Sequence, residues 1–279
     1  MSRRTDNRHR AATLCREATG LPHHVCMKWA ADGLISRGRP VPDAESAAQR
    51  AFEARVVVAL AEALAQERTN GTLFGITGVR PTAAGLGIGL HPDVSHRVFA
   101  ALMPVLDAAT GTLRGVPGLR RDHRGEDGLH LRCAAGGGAI RILPSSPAWH
   151  RPSSRSGAVA LGDRDAPLHG AERARLDLWA RGPDARDRLL SRVLRRPLVL
   201  NAAGAPHGRA NTYGHARSDL VIEWDADPGI AVVERRLRRS GLAAPAPGTG
   251  PPELSSAGII TLGGAKLLLR TVGEVCPAC

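Results

Sequence analysis

The 279 residues are 43% hydrophobic and 3% aromatic, which is enough apolar sequence for an aliphatic core in one large or two small domains. The formal net charge is +12, and every basic residue except Lys28 and Lys266 is arginine. Either a polyanionic partner such as DNA or a GC-rich coding sequence explains this excess. Five cysteines are too few to indicate a disulfide framework in a chain of this length. The apolar run over residues 56–65 is too short to span a membrane, and residues 1–10 do not resemble a signal peptide. We therefore expect a cytoplasmic protein.

Residues 1–36 are predicted to form a basic arm, disordered at its start, followed by a pair of helices. A short helix over residues 11–18 ends at Gly20, and Pro22 suits the first turn of a second helix that reaches residue 31. This arrangement is that of a helix-turn-helix, whose second helix enters the major groove of DNA. A helical hairpin that only packs or binds a partner is the alternative. The candidate DNA contacts are Arg3, Arg4, Arg8, Arg10, His23, His24 and Lys28.

The first α+β module is predicted over residues 43–143. Phe52, Val56, Leu60 and Leu64 share one stripe of a helix, which predicts an amphipathic helix with a single buried face. Two strands follow, around residues 74–79 and 86–90. A helix from residue 93 then carries Val94, Val98, Leu102 and Val105 inward, and Pro104 is expected to kink or shorten it.

A hairpin over residues 129–142 closes this module. Its apolar residues alternate with His130, Arg132 and Arg141, which predicts one wet, basic face. Arginine side chains on such a face can bind phosphate, so Arg132 and Arg141 are further candidates for polyanion contact. The face has no aromatic side chains for base stacking, which argues against binding of single-stranded nucleic acid or RNA. The alternative to polyanion binding is that these residues form an ordinary solvated region.

Residues 144–170 are predicted to be a linker or long loop, and residues 171–279 a second α+β module. Two helices, a short strand over residues 198–200, a strand over residues 219–224, a helix to residue 240 and a final hairpin follow in order. The predicted fold class is therefore α+β, with the helix pair followed by two hairpin–helix–hairpin (ββαββ-like) modules with antiparallel sheets. The shared order is either a duplication or a coincidence.

Carboxylates on the strand over residues 219–224 are the weak catalytic candidates, with a histidine beside them. On one strand face, such acids can hold Mg²⁺ or Mn²⁺ for a phosphodiesterase or nuclease, and a solvated face is the alternative. The spacing of Gly85, Gly87 and Gly89 matches no nucleotide-binding fingerprint, so cofactors stay unknown and a divalent metal stays open. The catalytic candidates are Asp219, Glu223, Asp225 and His215.

The cysteines allow a zinc hypothesis, because Cys276 and Cys279 have the spacing of a ligand pair. Cys15 and Cys26 are the candidates that complete a tetrahedral site, and burial of both in the helix pair is the alternative. No stretch of the chain carries motifs that name a family. Three functions stay open: an accessory or regulatory protein that contacts DNA or another polyanion, a metal-dependent nuclease, and a protein-binding scaffold without chemistry.

Overall fold

The computed structural model describes residues 3–64, 71–144, 158–201, 210–215, 219–224, 229–242, 253–255, 258–262 and 265–271. The helices are α1 (Arg3–Thr19), α2 (His23–Ala31), α3 (Ala47–Leu64), α4 (Ser95–Leu102), α5 (Gly170–Ala180), α6 (Asp184–Leu194), α7 (Pro197–Leu200) and α8 (Ile230–Arg239). The strands are β1 (Ile76–Pro81), β2 (Leu86–Leu90), β3 (Val105–Asp107), β4 (Leu113–Arg114), β5 (Leu119–Gly125), β6 (Gly128–Cys133), β7 (Ala139–Ile142), β8 (Ala158–Ala160), β9 (Ala210–His215), β10 (Asp219–Trp224), β11 (Glu253–Ser255), β12 (Ile259–Leu262) and β13 (Ala265–Thr271). The α+β class is as predicted.

The N-terminal helix α1 is longer than predicted. It begins at Arg3 instead of residue 11, so the predicted start of this helix is wrong, and Arg3, Arg4, Arg8 and Arg10 belong to the helix. Asp6 and Arg10 form an ion pair of 3.0 Å at i,i+4 spacing, a contact that supports the added turns. The helix ends at Gly20, whose φ of +74° lies in the left-handed region that glycine tolerates.

Helices α1 and α2 share a small apolar core that is separate from the main one. Its buried members are Ala11, Ala12, Cys15, Leu21, Cys26, Ala30 and Ile35. Three residues connect the helices, and the side chain of Leu198 in α7 lies beside the connecting Gly20. Gly20 also lies beside Thr77 and Gly78 of β1, so the helix pair packs against the rest of the fold at α7 and β1.

Helix α3 is buried on nearly all sides, and the expected single buried stripe is wrong. Besides the apolar residues, Gln49, Glu53 and Arg55 are buried. The reason is that α3 packs against α6 on one side and against α4, β7 and β9 on others. A helix inside a fold must pair its polar side chains internally, which local periodicity does not reveal.

Two five-stranded sheets have the same order of strands. The first runs β1-β2-β7-β6-β5 and the second β9-β10-β13-β12-β11. In each sheet the second and last strands in sequence pair in parallel, β2 with β7 and β10 with β13, and the other pairs are antiparallel. The predicted antiparallel sheets and hairpin–helix–hairpin modules are therefore corrected. Of the described strands, the three that follow α4 in the first sheet are β5, β6 and β7, and the three that follow α8 in the second are β11, β12 and β13.

Two further local predictions are wrong. Residues 198–200 belong to helix α7 instead of a strand, since Pro197 occupies its first turn. Val105 lies in β3 instead of a helix, because Pro104 ends α4 at Leu102. Within the predicted linker, β8 pairs with β3 in a third sheet of order β4-β3-β8, and residues 145–157 lie outside the described part. The domain boundaries themselves stay a prediction.

Several arginines are internal and hold the layers together. Arg195 and Glu53 form an ion pair of 2.6 Å with both side chains fully buried, and Arg120 and Glu172 form another of 2.7 Å. Part of the positive charge is thus neutralised inside the protein. Among the described residues, no helix is both long and apolar enough to cross a bilayer.

Asp43 is expected to make stability depend on acid pH. Burial alone would raise its pKa, but Arg196 at 3.0 Å and Arg192 at 2.8 Å outweigh burial, and the pKa lies below the ordinary 3.8. A lowered folded-state pKa contributes stability above the unfolded pKa, and this is lost as pH falls through the folded value. We expect the free energy of unfolding to fall below pH ~5. In chemical denaturation at a series of pH values, Asp43→Asn should flatten this fall while exposed Asp165→Asn should not. Identical slopes for both would contradict the assignment.

Candidate polyanion-binding surface

The outward side chains of α1 and α2 form the first part of a basic surface. Arg10 and Arg16 on α1 are exposed, and Arg8 is half-buried. On α2, His24 and Lys28 are exposed and one turn apart. Arg3 and Arg4 fall within α1, and His23 is half-buried and stacks on His9 at 6.0 Å between ring centroids. The helix pair is present, and its use as a helix-turn-helix stays a prediction.

Helix α8 adds four arginines that are not among the candidates predicted from the sequence. It buries Val233 and Leu237, which are one turn apart, against the core. Arg235, Arg238 and Arg239 are exposed on the side away from this pair, and Arg236 is half-buried at the edge of the cleft described below. The sequence contains the pattern that predicts this, because helical periodicity turns Arg235, Arg238 and Arg239 away from an apolar pair at positions 233 and 237. Glu234 pairs with Arg238 at 2.8 Å and offsets part of the charge.

Helices α1 and α8 lie beside one another and enclose a cleft, which we call the α1–α8 cleft. Arg239 reaches to 3.9 Å from Glu17, a distance at which two exposed side chains interact only weakly. The cleft has a volume of about 440 Å³. It is lined by Leu14, Glu17 and Ala18 of α1, Leu198 and Val199 of α7, and Arg236, Arg239 and Ser240 of α8 and its end.

The predicted basic face of the β6–β7 hairpin is largely compensated by acids. Asp127 accepts a hydrogen bond from His130 at 2.9 Å and pairs with Arg141. Asp122 lies 3.7 Å from Arg132. The hydrogen bond from His130, and then Arg141, lower the pKa of Asp127, so it stays ionised. Arg120, on the neighbouring strand β5, is fully buried against Glu172 instead of facing solvent.

Two histidines stack on this hairpin. The rings of His123 and His130 lie 4.1 Å apart with 13° between their planes. Asp122 accepts a hydrogen bond from His123 at 2.9 Å, which is the main cause of the lowered pKa of Asp122. Each ring is thus held by its own carboxylate. Arg132 and Arg141 are half-buried beside them and offer less free positive charge than α8 does.

Three of the four catalytic candidates, His215, Asp219 and Glu223, lie on strands of the second sheet. Glu223 on β10 pairs with Arg270 on β13 at 3.5 Å. Asp219 is opposite His215 on β9 and opposite Lys266 on β13 in the strand register, and Asp225 lies outside the described residues. No cluster of three or more His, Cys, Asp or Glu side chains suited to a metal occurs in the described ranges. A metal-dependent nuclease stays a prediction.

Two of the zinc candidates are buried together in the small core of the helix pair. Cys15 and Cys26 are both fully buried, on facing helices. A hydrogen bond to the Cys26 thiol, followed by burial, raises the pKa of Cys15, so this thiol stays protonated. Cys276 and Cys279 lie outside the described part, so the four-cysteine site stays a prediction.

Comparison of this chain with protein-family models, curated proteins and solved structures finds no match in any of the three.

Proposed function

We propose that this protein is an accessory or regulatory protein that contacts duplex DNA through one surface, formed by α1, α2 and α8. The observation that carries the proposal is the position of α8, whose arginines lie across the α1–α8 cleft from α1, the helix that bears Arg10 and Arg16. Arginine side chains on a helix surface bind phosphates by charge and by paired hydrogen bonds. Such contacts position a protein on DNA without reading its sequence.

The place of α8 in the fold supports a role for its arginines beyond folding. Helix α4 connects the strands of the first sheet as α8 connects those of the second. Both helices bury residues at i,i+4 spacing, Val98 and Leu102 in α4 and Val233 and Leu237 in α8. When these pairs are superposed, the positions of Arg235 and Arg236 fall on Ala100 and Ala101 of α4, and that of Arg238 falls on Met103, the residue just after the end of α4. The same helix position therefore forms without arginine.

The contrast with internal arginines also supports this surface. Arg120, Arg195 and Arg196 are fully buried and hydrogen-bonded to carboxylates, so they cannot meet a partner. Arg235, on the other hand, is exposed. Charge at the surface attracts a polyanion over a distance of about 8–10 Å at physiological salt, whereas paired internal charge does not.

Replacing Arg235 and Arg238 by glutamate should weaken binding to duplex DNA roughly a hundredfold at low salt, since phosphate contacts become repulsions. The slope of log Kd against log salt should fall by about one for each phosphate that the variant no longer neutralises. Fluorescence anisotropy with a labelled duplex at several salt concentrations measures both quantities. Substitution is preferable to deletion of residues 1–36, because deletion would remove the small core of the helix pair.

The matched control replaces Arg173 and Arg175 by glutamate. Both are exposed on a helix, α5, so net charge changes equally while the proposed surface is untouched. We expect the affinity of the control to fall only a few-fold, through long-range charge. If affinity fell equally in both double variants, α8 would have no specific part in DNA binding, and a chain that bound no duplex at low salt would refute the proposal.

A further inference from the structure

The α1–α8 cleft combines an apolar floor with a cationic rim. Leu14 and Ala18 of α1 and Leu198 and Val199 of α7 supply the floor, and Leu14 and Leu198 are half-buried. Its volume of about 440 Å³ lies within the range of pockets that hold ligands, ~300–1,000 Å³. A floor of this composition is unusual for a surface that serves only phosphates.

The polar groups at the base of the cleft are already satisfied inside the protein. The Ser240 hydroxyl donates to the carbonyl of Leu237 at 2.8 Å, and the Ser240 carbonyl accepts from Arg196 at 2.9 Å. Ser240 is 2% exposed, and both its hydroxyl and its backbone amide already donate within the protein, so it has no donor to offer a ligand. The part of a ligand that enters the cleft must therefore be apolar, because a buried polar group would lose its partners.

The rim determines the charge of the ligand. Arg236 and Arg239 line the cleft, and Arg235 and Arg238 continue the basic side of α8 beyond it. Glu17 is the single carboxylate among the lining residues, and it is half-exposed at 3.9 Å from Arg239. Charge complementarity thus favours a ligand whose flanks are acidic.

We propose that the α1–α8 cleft is a docking site for an acidic segment of another protein, which inserts one apolar side chain between α1 and α8. Duplex DNA has acidic flanks but no apolar group on its backbone that could enter the cleft, whereas an acidic peptide supplies both. The segment uses the arginines that are assigned above to phosphates, so this inference rests on the proposed function. The acidic segment is therefore expected to compete with DNA, as a regulatory partner would.

The test uses the full chain and a set of labelled 12-residue peptides rich in Glu and Asp, which differ only in a central Leu, Phe, Ala or Ser. At about 0.15 M salt, where surface charge alone is largely screened, Leu or Phe should improve binding ten- to a hundredfold over Ser. This range follows from burying one large apolar side chain. Unlabelled Leu peptide should also displace a labelled DNA duplex.

Two substitutions at one position isolate the cleft. Leu14→Asn makes the floor polar and Leu14→Trp fills the cleft, and both should abolish the preference for Leu over Ser. Leu34→Asn is the matched control, because Leu34 is exposed and does not line the cleft. Circular dichroism checks that each variant is folded, and the two replacements at Leu14 guard against misfolding of either.

The outcomes separate this inference from the proposed function. Equal affinity for the Leu and Ser peptides, or an unchanged preference in both folded Leu14 variants, overturns the docking site. Retention of DNA binding in those variants then leaves the DNA proposal standing. A chain that binds the Leu peptide but no DNA overturns the DNA proposal and supports the docking site.

Discussion

Replacing Glu53 by leucine should lower the free energy of unfolding by about 3–5 kcal/mol, because the charge of Arg195 would stay buried without its carboxylate partner. Glu53 accepts hydrogen bonds from Arg195 at 2.6 and 2.8 Å, from Ser191 at 2.6 Å and from Gln49 at 2.7 Å. Arg195 is fully buried, so without the carboxylate its charge would be left with backbone carbonyls alone. Urea denaturation of the full chain measures this change.

A double variant provides the control for this prediction. Glu53→Leu combined with Arg195→Met removes both charges and keeps apolar volume, and we expect it to recover most of the stability. The network joins α3, which belongs to the first half, to the residues after α6, which precede the second sheet. A single variant within about 1 kcal/mol of the native chain would mean that the network contributes little to this junction.

Replacing Arg120 by methionine should also cost about 3–5 kcal/mol, and the destabilisation should be concentrated at α5. Arg120 donates to both carboxylate oxygens of Glu172, at 2.9 and 2.7 Å, with neither side chain exposed to solvent. Glu172 lies in the first turn of α5 and is its one fully buried residue. Without Arg120 we expect faster amide hydrogen exchange along α5 together with a lower denaturation midpoint.

The neighbouring residue on the same strand supplies the matched control. Arg121 pairs with Asp163, and both side chains are partly exposed, so Arg121→Met should cost less than about 1 kcal/mol. It should leave hydrogen exchange in α5 unchanged. Equal destabilisation in the two variants would show that burial of the Arg120–Glu172 pair has no special effect.

Local patterns in the sequence predict many of the elements. Alternation of apolar and polar residues locates β6 and β7 around the glycines that turn the chain, and Pro22 marks the start of α2 correctly. The apolar stripe of α3 locates that helix, although it does not reveal that Glu53 and Arg55 are buried. These predictions succeed because helix and strand periods depend on neighbours within a few residues.

The basic surface was only partly predictable. Residues of the helix pair were named from local charge, while α8, whose arginines carry the proposed function, was recognised only as a helix. Helix α8 lies next to α1, so residues more than 200 positions apart in sequence, such as Glu17 and Arg239, come close together. No local sequence pattern encodes such a contact. Burial of Arg120 against Glu172 is equally non-local, because an arginine on a strand has the same sequence signature in either environment.

The sequence by itself determined the α+β class, the helix pair, about half of the described strands and the excess of arginine. Only the tertiary structure decided the order of strands, with β2 parallel to β7 and β10 parallel to β13, and the division of arginines between core and surface. The physical reason is the range of the forces involved. Secondary structure follows from the backbone and adjacent side chains, whereas parallel pairing across a helix and the burial of an ion pair depend on segments that meet only after folding.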